Sequence, residues 1–264
     1  NLSRNDFLKI MDFAQDIDLP VFATAVTPDW VTFIAEVCGV VKIASGDFTF
    51  LPTIKSALKS NALVIASTGA SSEEEVMDFL SVAKSIRSDI KKSIALLHCV
   101  SAYPPPLSQG NLRAITTLRQ LTGLVIGFSS HFVEDAPIYS ALSLGSRIFE
   151  IHVTDDRSRN DIRDHLLSRT PKELRSIIET LNGLSESLLD SRKSIQPIEL
   201  DIRNAIRKGV VYSTDFEAGH VMNTGDLDYA RPYNPLFPSF ESVVGKRLTR
   251  NVSAFHSVDS LDFE

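Results

Sequence analysis

Cysteine is nearly absent. Cys38 and Cys99 are the only two in 264 residues, too few for a disulfide framework, and both lie in apolar stretches that suggest buried free thiols. Positive charge is not in excess either. Lys and Arg number 27 against 33 Asp and Glu, a net charge of −6, which argues against non-specific nucleic-acid binding, since that needs a basic face. An anionic ligand would then be held by local groups rather than by the field of the whole protein. No apolar run approaches the about 18 residues of a membrane span. There is no signal-peptide pattern, internal repeat or low-complexity tract. A cytoplasmic protein with no nucleic-acid or membrane partner is the expectation.

What is present is alternation. Short β-branched runs occur at "VFATAV" (21–26), "VVKIAS" (40–45), "LVIAST" (63–68), "IALLHCVS" (94–101), "LVIGFSS" (124–130) and "IFEIHVT" (148–154), with amphipathic helical stretches between them. Start signals mark several helices: Ser71–Ser72–Glu73–Glu74 and Thr170–Pro171–Lys172–Glu173 fit a capping box, and Pro28 suits a first helical position. Six strands alternating with helices predict a parallel α/β sheet. Nearly every strand ends in small or polar residues, as in a (β/α)8 barrel, whose βα loops all face one site. The first strand, its helix and the second strand are expected to precede Asn1. After residue 186 the pattern breaks, predicting a barrel domain at 1–186, a linker at 187–196 and a small, mostly β domain at 197–264.

The last strand poses the sharpest question. In "FEIHVTDD" (149–156), Phe149, Ile151 and Val153 alternate with Glu150, His152 and Thr154, so one face is polar where a sheet packed only on helices needs none. His131 ends the preceding strand, and neighbouring strands lie about 4.8 Å apart. Two imidazoles at one height can share a metal ion, although two separately bonded histidines fit the spacing as well. "KIASGD" sets Lys42, Ser45 and Asp47 around Gly46, suiting either an anion contact or a solvated turn. "STGASSEEE" reads as an anion-binding or a plain βα turn. "HCVSAYPPP" carries Tyr103 on a stiff loop.

In order and spacing, "KIASGD", "ASTGASSEEE", "LLHCVSAYPPP…NLRAITTL", "GFSSHF", "FEIHVTDDR" and "DH" resemble the sialic acid synthase family. "AIRKGVVYSTDF", "ARPYN" and "VVGKRLTR" resemble its C-terminal antifreeze-like domain. The resemblance implies a (β/α)8 barrel and a domain-swapped homodimer. It also implies condensation of phosphoenolpyruvate with an N-acetylated aldose to a nonulosonic acid and phosphate, with Mn²⁺ or Mg²⁺. His131 and His152 match its metal ligands; Lys42, Ser45, Ser67, Ser101 and Ser129 match phosphoenolpyruvate contacts. Asp47, Tyr103 and Asp164 match the sugar side, Glu150 joins Asp47 and Asp164 as a catalytic carboxylate, and Arg231 matches an arginine reaching the partner's site. Legionaminic, pseudaminic or spore-coat sugar acids are alternative products, and a non-catalytic sugar-binding relative is the alternative to an enzyme. Departures are Ser130 where the family has aspartate, Ile151 where it has lysine, and Phe50 where a polar residue is common.

Overall fold

Helix and strand alternate through the first 190 residues of the computed structural model, which describes residues 2–159 and 161–263. Helices α1 (Arg4–Asp16) and α2 (Pro28–Cys38) precede β1 (Val40–Ile43), α3 (Leu51–Lys59) and β2 (Leu63–Ser67). Next come α4 (Glu73–Ile86), the single turn α5 (Ile90–Ser93), β3 (Ile94–His98), α6 (Ala114–Thr122) and β4 (Val125–Ser130). Helix α7 (Ala136–Ser143), β5 (Phe149–Ile151) and α8 (Pro171–Ser187) complete the unit Asn1–Asp190. The five strands are parallel, in the order β1-β2-β3-β4-β5.

Alternation assigns the two faces. Val41, Ile43, Val64, Ala66, Leu96, Ile126 and Phe128 are buried in one core with the apolar sides of the helices. Lys42, Ser67, Ser129 and Glu150 lie on the other face and line a cavity. In a flat sheet, β1 and β5 would stand about 19 Å apart, four steps of about 4.8 Å. Yet Lys42 Nζ of β1 is 3.5 Å from Glu150 Oε2 of β5. The sheet therefore curls until its outer strands face each other, and its polar face becomes concave.

Several expectations need correction. Residues 21–26 form no strand; they meet β1 at one bridge, Thr24 with Lys42, through Ala25 N–H to the Lys42 carbonyl and Lys42 N–H to the Ala23 carbonyl. At the sheet edge a single point of pairing does not build a ladder. Strand β5 stops at Ile151, after which Val153 bridges Arg169 and is 55% exposed rather than part of an apolar face. The α4 capping box joins Ser72 to Glu75, one residue later than expected.

At α8 the box is Thr170 with Glu173. Hydrogen bonds from the Thr170 backbone and hydroxyl, then Arg157, pull the Glu173 carboxyl down to about 2. A depressed carboxyl stabilises the fold above its unfolded value of about 4.3. That contribution fades as pH falls from there to about 2. Thr170→Ala should cost about 1 kcal/mol at neutral pH and shrink the acid dependence, read by denaturation across pH.

The unit Ser191–Glu264 begins with α9 (Leu200–Ile206), a helix where only strands and turns were expected. Strands β6 (Gly209–Tyr212) and β7 (Leu227–Ala230) pair antiparallel, and further bridges include Phe216 with Val252 and Leu248 with Phe263. Val210, Tyr212, Met222, Val243 and Val258 centre its core. Asp262, fully buried, accepts from Tyr212 Oη at 2.8 Å, Arg250 Nε at 2.7 Å and the Asp259 amide at 2.7 Å. Asp262→Ala strands the Tyr212 hydroxyl and the amide, so a loss of about 2–4 kcal/mol is expected. Chemical denaturation followed by tyrosine absorbance measures it.

Candidate active site

Strands β1, β2, β4 and β5 and the segment that follows β3 contribute to one cavity of about 570 Å³ at the C-terminal strand ends. Lys42 is 5% exposed, which excludes the solvated-turn reading. Its ammonium donates to the Ile43 carbonyl at 2.9 Å and to Ser67 Oγ at 2.7 Å, and faces Glu150 Oε2 at 3.5 Å. Ser129 Oγ donates to Glu150 Oε1 at 2.6 Å, directly across the β4–β5 register. The polar face of "FEIHVTDD" therefore looks at Lys42. Among the lining residues, Lys42 is the only lysine or arginine and Glu150 the only carboxylate, so their charges cancel.

His131 and His152 stand side by side, ring centroids 5.4 Å apart. His131 Nδ1 lies 2.8 Å from the Val100 carbonyl, which can only accept. Its hydrogen is thus on Nδ1, and the Nε2 lone pair is free for a ligand. Burial lowers the His131 pKa, outweighing the carbonyl contact that raises it, and keeps the ring neutral. Tyr103 stacks on His131 with centroids 4.0 Å apart and meets His152 edge-on at 6.0 Å. Burial first, then the neighbouring acidic groups, raises the Tyr103 phenol, which stays a donor. Asp164 Oδ2 is 3.8 Å from His152 Nδ1. Two imidazoles side by side suit an ion that keeps open positions better than a closed structural zinc site. Among the described residues no group of three or more His, Cys, Asp or Glu gathers as a metal site.

Of the expected site residues, Lys42, Ser45, Ser67, Ser101, Tyr103, Ser129, His131, Glu150 and His152 line this cavity. Asp164 reaches it through His152. Asp47 is half-buried in the turn Ser45–Asp47 and is not on the wall. Arg231, in the second unit, is exposed and donates from Nε to the Ile206 carbonyl at 2.6 Å. Ile151, expected to point away, also lines the cavity because the strand ends there. Ser130 is on the opposite parity, its buried Oγ without a hydrogen-bond partner among the described residues.

Cys99 was missed. It is buried, but its Sγ lies 3.1 Å from Ser45 Oγ on the cavity wall, not in an apolar context. Its parity with Ala95 and Leu97, opposite to the helix-facing Leu96, was the available signal. Gly69 was missed too. A Cβ there would lie 2.7 Å from both Cys99 Sγ and Ser45 Oγ, so only glycine lets those side chains meet.

Several similar proteins are named as sugar-acid synthases. N,N'-diacetyllegionaminic acid synthase of Campylobacter jejuni is 31% identical over 212 residues, which are 80% of this chain and 63% of that protein. N-acetylneuraminate-9-phosphate synthase of Drosophila melanogaster is 27% identical, over 95% of this chain and 73% of its own. The crystal structure of N-acetylneuraminic acid synthetase from Leptospira borgpetersenii, in complex with citrate, superposes with a TM-score of 0.70 at 30% identity. That match covers 78% of this chain and 72% of that one. With it, the curled five-stranded sheet is an α/β half-barrel. The model described as NeuB family matches residues 1–193.

Proposed function

We propose that this chain, which belongs to the NeuB family, carries the phosphoenolpyruvate-binding part of a sugar-acid synthase site. The reaction joins C3 of phosphoenolpyruvate to the aldehyde of an N-acetylated aldose, adds water at C2 and releases phosphate. One observation carries the reading: Lys42, Glu150 and the hydroxyls of Ser45, Ser67, Ser101 and Ser129 share a cavity with the paired rings of His131 and His152. The names of the relatives, sugar-acid synthases of bacteria and animals, support it.

Each residue has a physical part. Lys42 sets its charge against the phosphate or carboxylate of the substrate, and the hydroxyls of Ser45, Ser67 and Ser101 donate to its oxygens, that of Ser129 being committed to Glu150. Glu150 holds Lys42 in place, stabilises positive charge developing at C2 and can take up a proton there. Tyr103, Asp164 and Asp47 belong to the sugar side. His131 and His152 would hold a divalent ion, Mn²⁺ in preference to Mg²⁺ because imidazole nitrogen is the softer donor. Such an ion supplies Lewis-acid polarisation of an aldehyde oxygen. Because Lys42 and Glu150 cancel, a trianionic substrate needs further positive charge, which an ion on the histidines supplies in part.

The remaining assignments follow the same family reading. A complete enzyme closes the half-barrel into eight strands, its second unit is antifreeze-like, and its dimer is domain-swapped so that Arg231 serves the partner's site. The protein works in the cytoplasm; no helix among the described residues is long and apolar enough to cross a membrane. The test is phosphate release with phosphoenolpyruvate, Mn²⁺ and a panel of N-acetylated aldoses, including precursors of neuraminic, legionaminic and pseudaminic acids. Release that requires both substrates is expected. No release with any sugar, despite demonstrated phosphoenolpyruvate binding, would favour a non-catalytic relative.

A further inference from the structure

We infer that Cys99 is a positioning residue: its S–H donates to Ser45 and so turns the Ser45 hydroxyl hydrogen into the cavity, toward an anionic ligand. This rests on the phosphoenolpyruvate reading above.

The argument is a count of hydrogens. An ammonium has three, and those of Lys42 face the Ile43 carbonyl, Ser67 Oγ and Glu150. The hydrogen of Ser129 goes to Glu150. Lys42 thus offers an anion its charge and at most the one N–H that faces Glu150, so the other directed donors must come from the remaining hydroxyls. Ser45 is the one whose surroundings set its direction. A hydroxyl has one hydrogen and two lone pairs. One lone pair accepts the Gly69 amide at 3.1 Å. The other contact, Cys99 Sγ at 3.1 Å, can run either way. If Cys99 donates, both lone pairs are filled and the hydrogen points to the open side, the cavity that both residues line. Burial raises the Cys99 pKa, so the S–H is present to donate. An anionic oxygen selects this arrangement, because O–H to an anion is a stronger bond than O–H to sulfur. Gly69 makes the junction possible: ends of β1, β2 and β3 meet where a Cβ would force them apart.

The test is a mutant cycle on the protein, read by calorimetry with phosphoenolpyruvate and, separately, inorganic phosphate. Cys99→Ala should weaken phosphoenolpyruvate binding roughly five- to tenfold and leave N-acetylmannosamine affinity unchanged. Cys99→Ser keeps a donor and should recover most of the loss. In a Ser45→Ala background, Cys99→Ala should have little further effect. Infrared spectra supply an independent reading. In a Cys38→Ala background the single S–H stretch should move to lower frequency when the anion binds. Unchanged affinity in Cys99→Ala, or a loss that persists undiminished without Ser45, would overturn the role of Cys99. Wild-type protein that binds phosphate but not phosphoenolpyruvate would sink the substrate reading alone, and the cycle run with phosphate still decides Cys99. Binding of neither ligand would overturn both.

Discussion

Lys42→Met is expected to raise the KM for phosphoenolpyruvate about 10- to 150-fold, with a much smaller change for the sugar. The magnitude follows from losing one charge-assisted contact, about 1.5–3 kcal/mol. The buried setting favours the upper end. Lys42 is 5% exposed and shares its ammonium with Ser67 and Glu150. Without it, the Glu150 carboxylate confronts the incoming anion unopposed, so repulsion is added to the lost attraction. Methionine keeps most of the stem, which limits damage to packing. Glu150→Gln in the same chain should recover part of the binding, because it removes that repulsion. Steady-state kinetics in each substrate, with circular dichroism to confirm folding, decide the matter. An unaltered KM for phosphoenolpyruvate would detach Lys42 from the substrate.

The second large effect is expected at the histidine pair. His131→Ala or His152→Ala should abolish Mn²⁺-dependent turnover and, by paramagnetic resonance, bound Mn²⁺. Each variant deletes one of two nitrogen donors, and one imidazole with open water positions holds an ion weakly. The two need not behave alike. His131 also anchors the Val100 carbonyl and the Tyr103 ring, so its loss should loosen the 100–106 loop as well. His152 has the longer contact, 3.8 Å to Asp164, and its variant should fold with wild-type stability. Asp164→Asn should weaken Mn²⁺ binding less than either histidine variant. Full activity in both alanine variants would remove the metal assignment.

Much of this site was legible because parallel strands put their chemistry at one end. Lys42, Ser67 and Glu150 are single polar residues in otherwise apolar strands, Ser129 is one of two at the end of its strand, and period-two alternation places all four on one face. Less legible was what depends on contacts between distant segments. Cys99 looks apolar in sequence, and only the approach of Ser45 makes it part of the wall. Ile151 lines the cavity because β5 is three residues long, and strand ends are poorly specified by local pattern. Residues 21–26 have the composition of a strand, but pairing requires a partner along their length and only Thr24 finds one. Helix α9 is seven residues long, too short for periodicity to separate it from a turn.

The contact between Lys42 and Glu150 also bears on how the molecule assembles. It joins the first and last strands of the sheet, with three βα units between them in the chain. Closing so long a loop is entropically slow, and it brings no reward until the intervening strands are in register. The pair is thus expected among the last native contacts to form. A refolding chain should regain helical circular dichroism before it regains ligand binding, and that lag should measure the curling of the sheet.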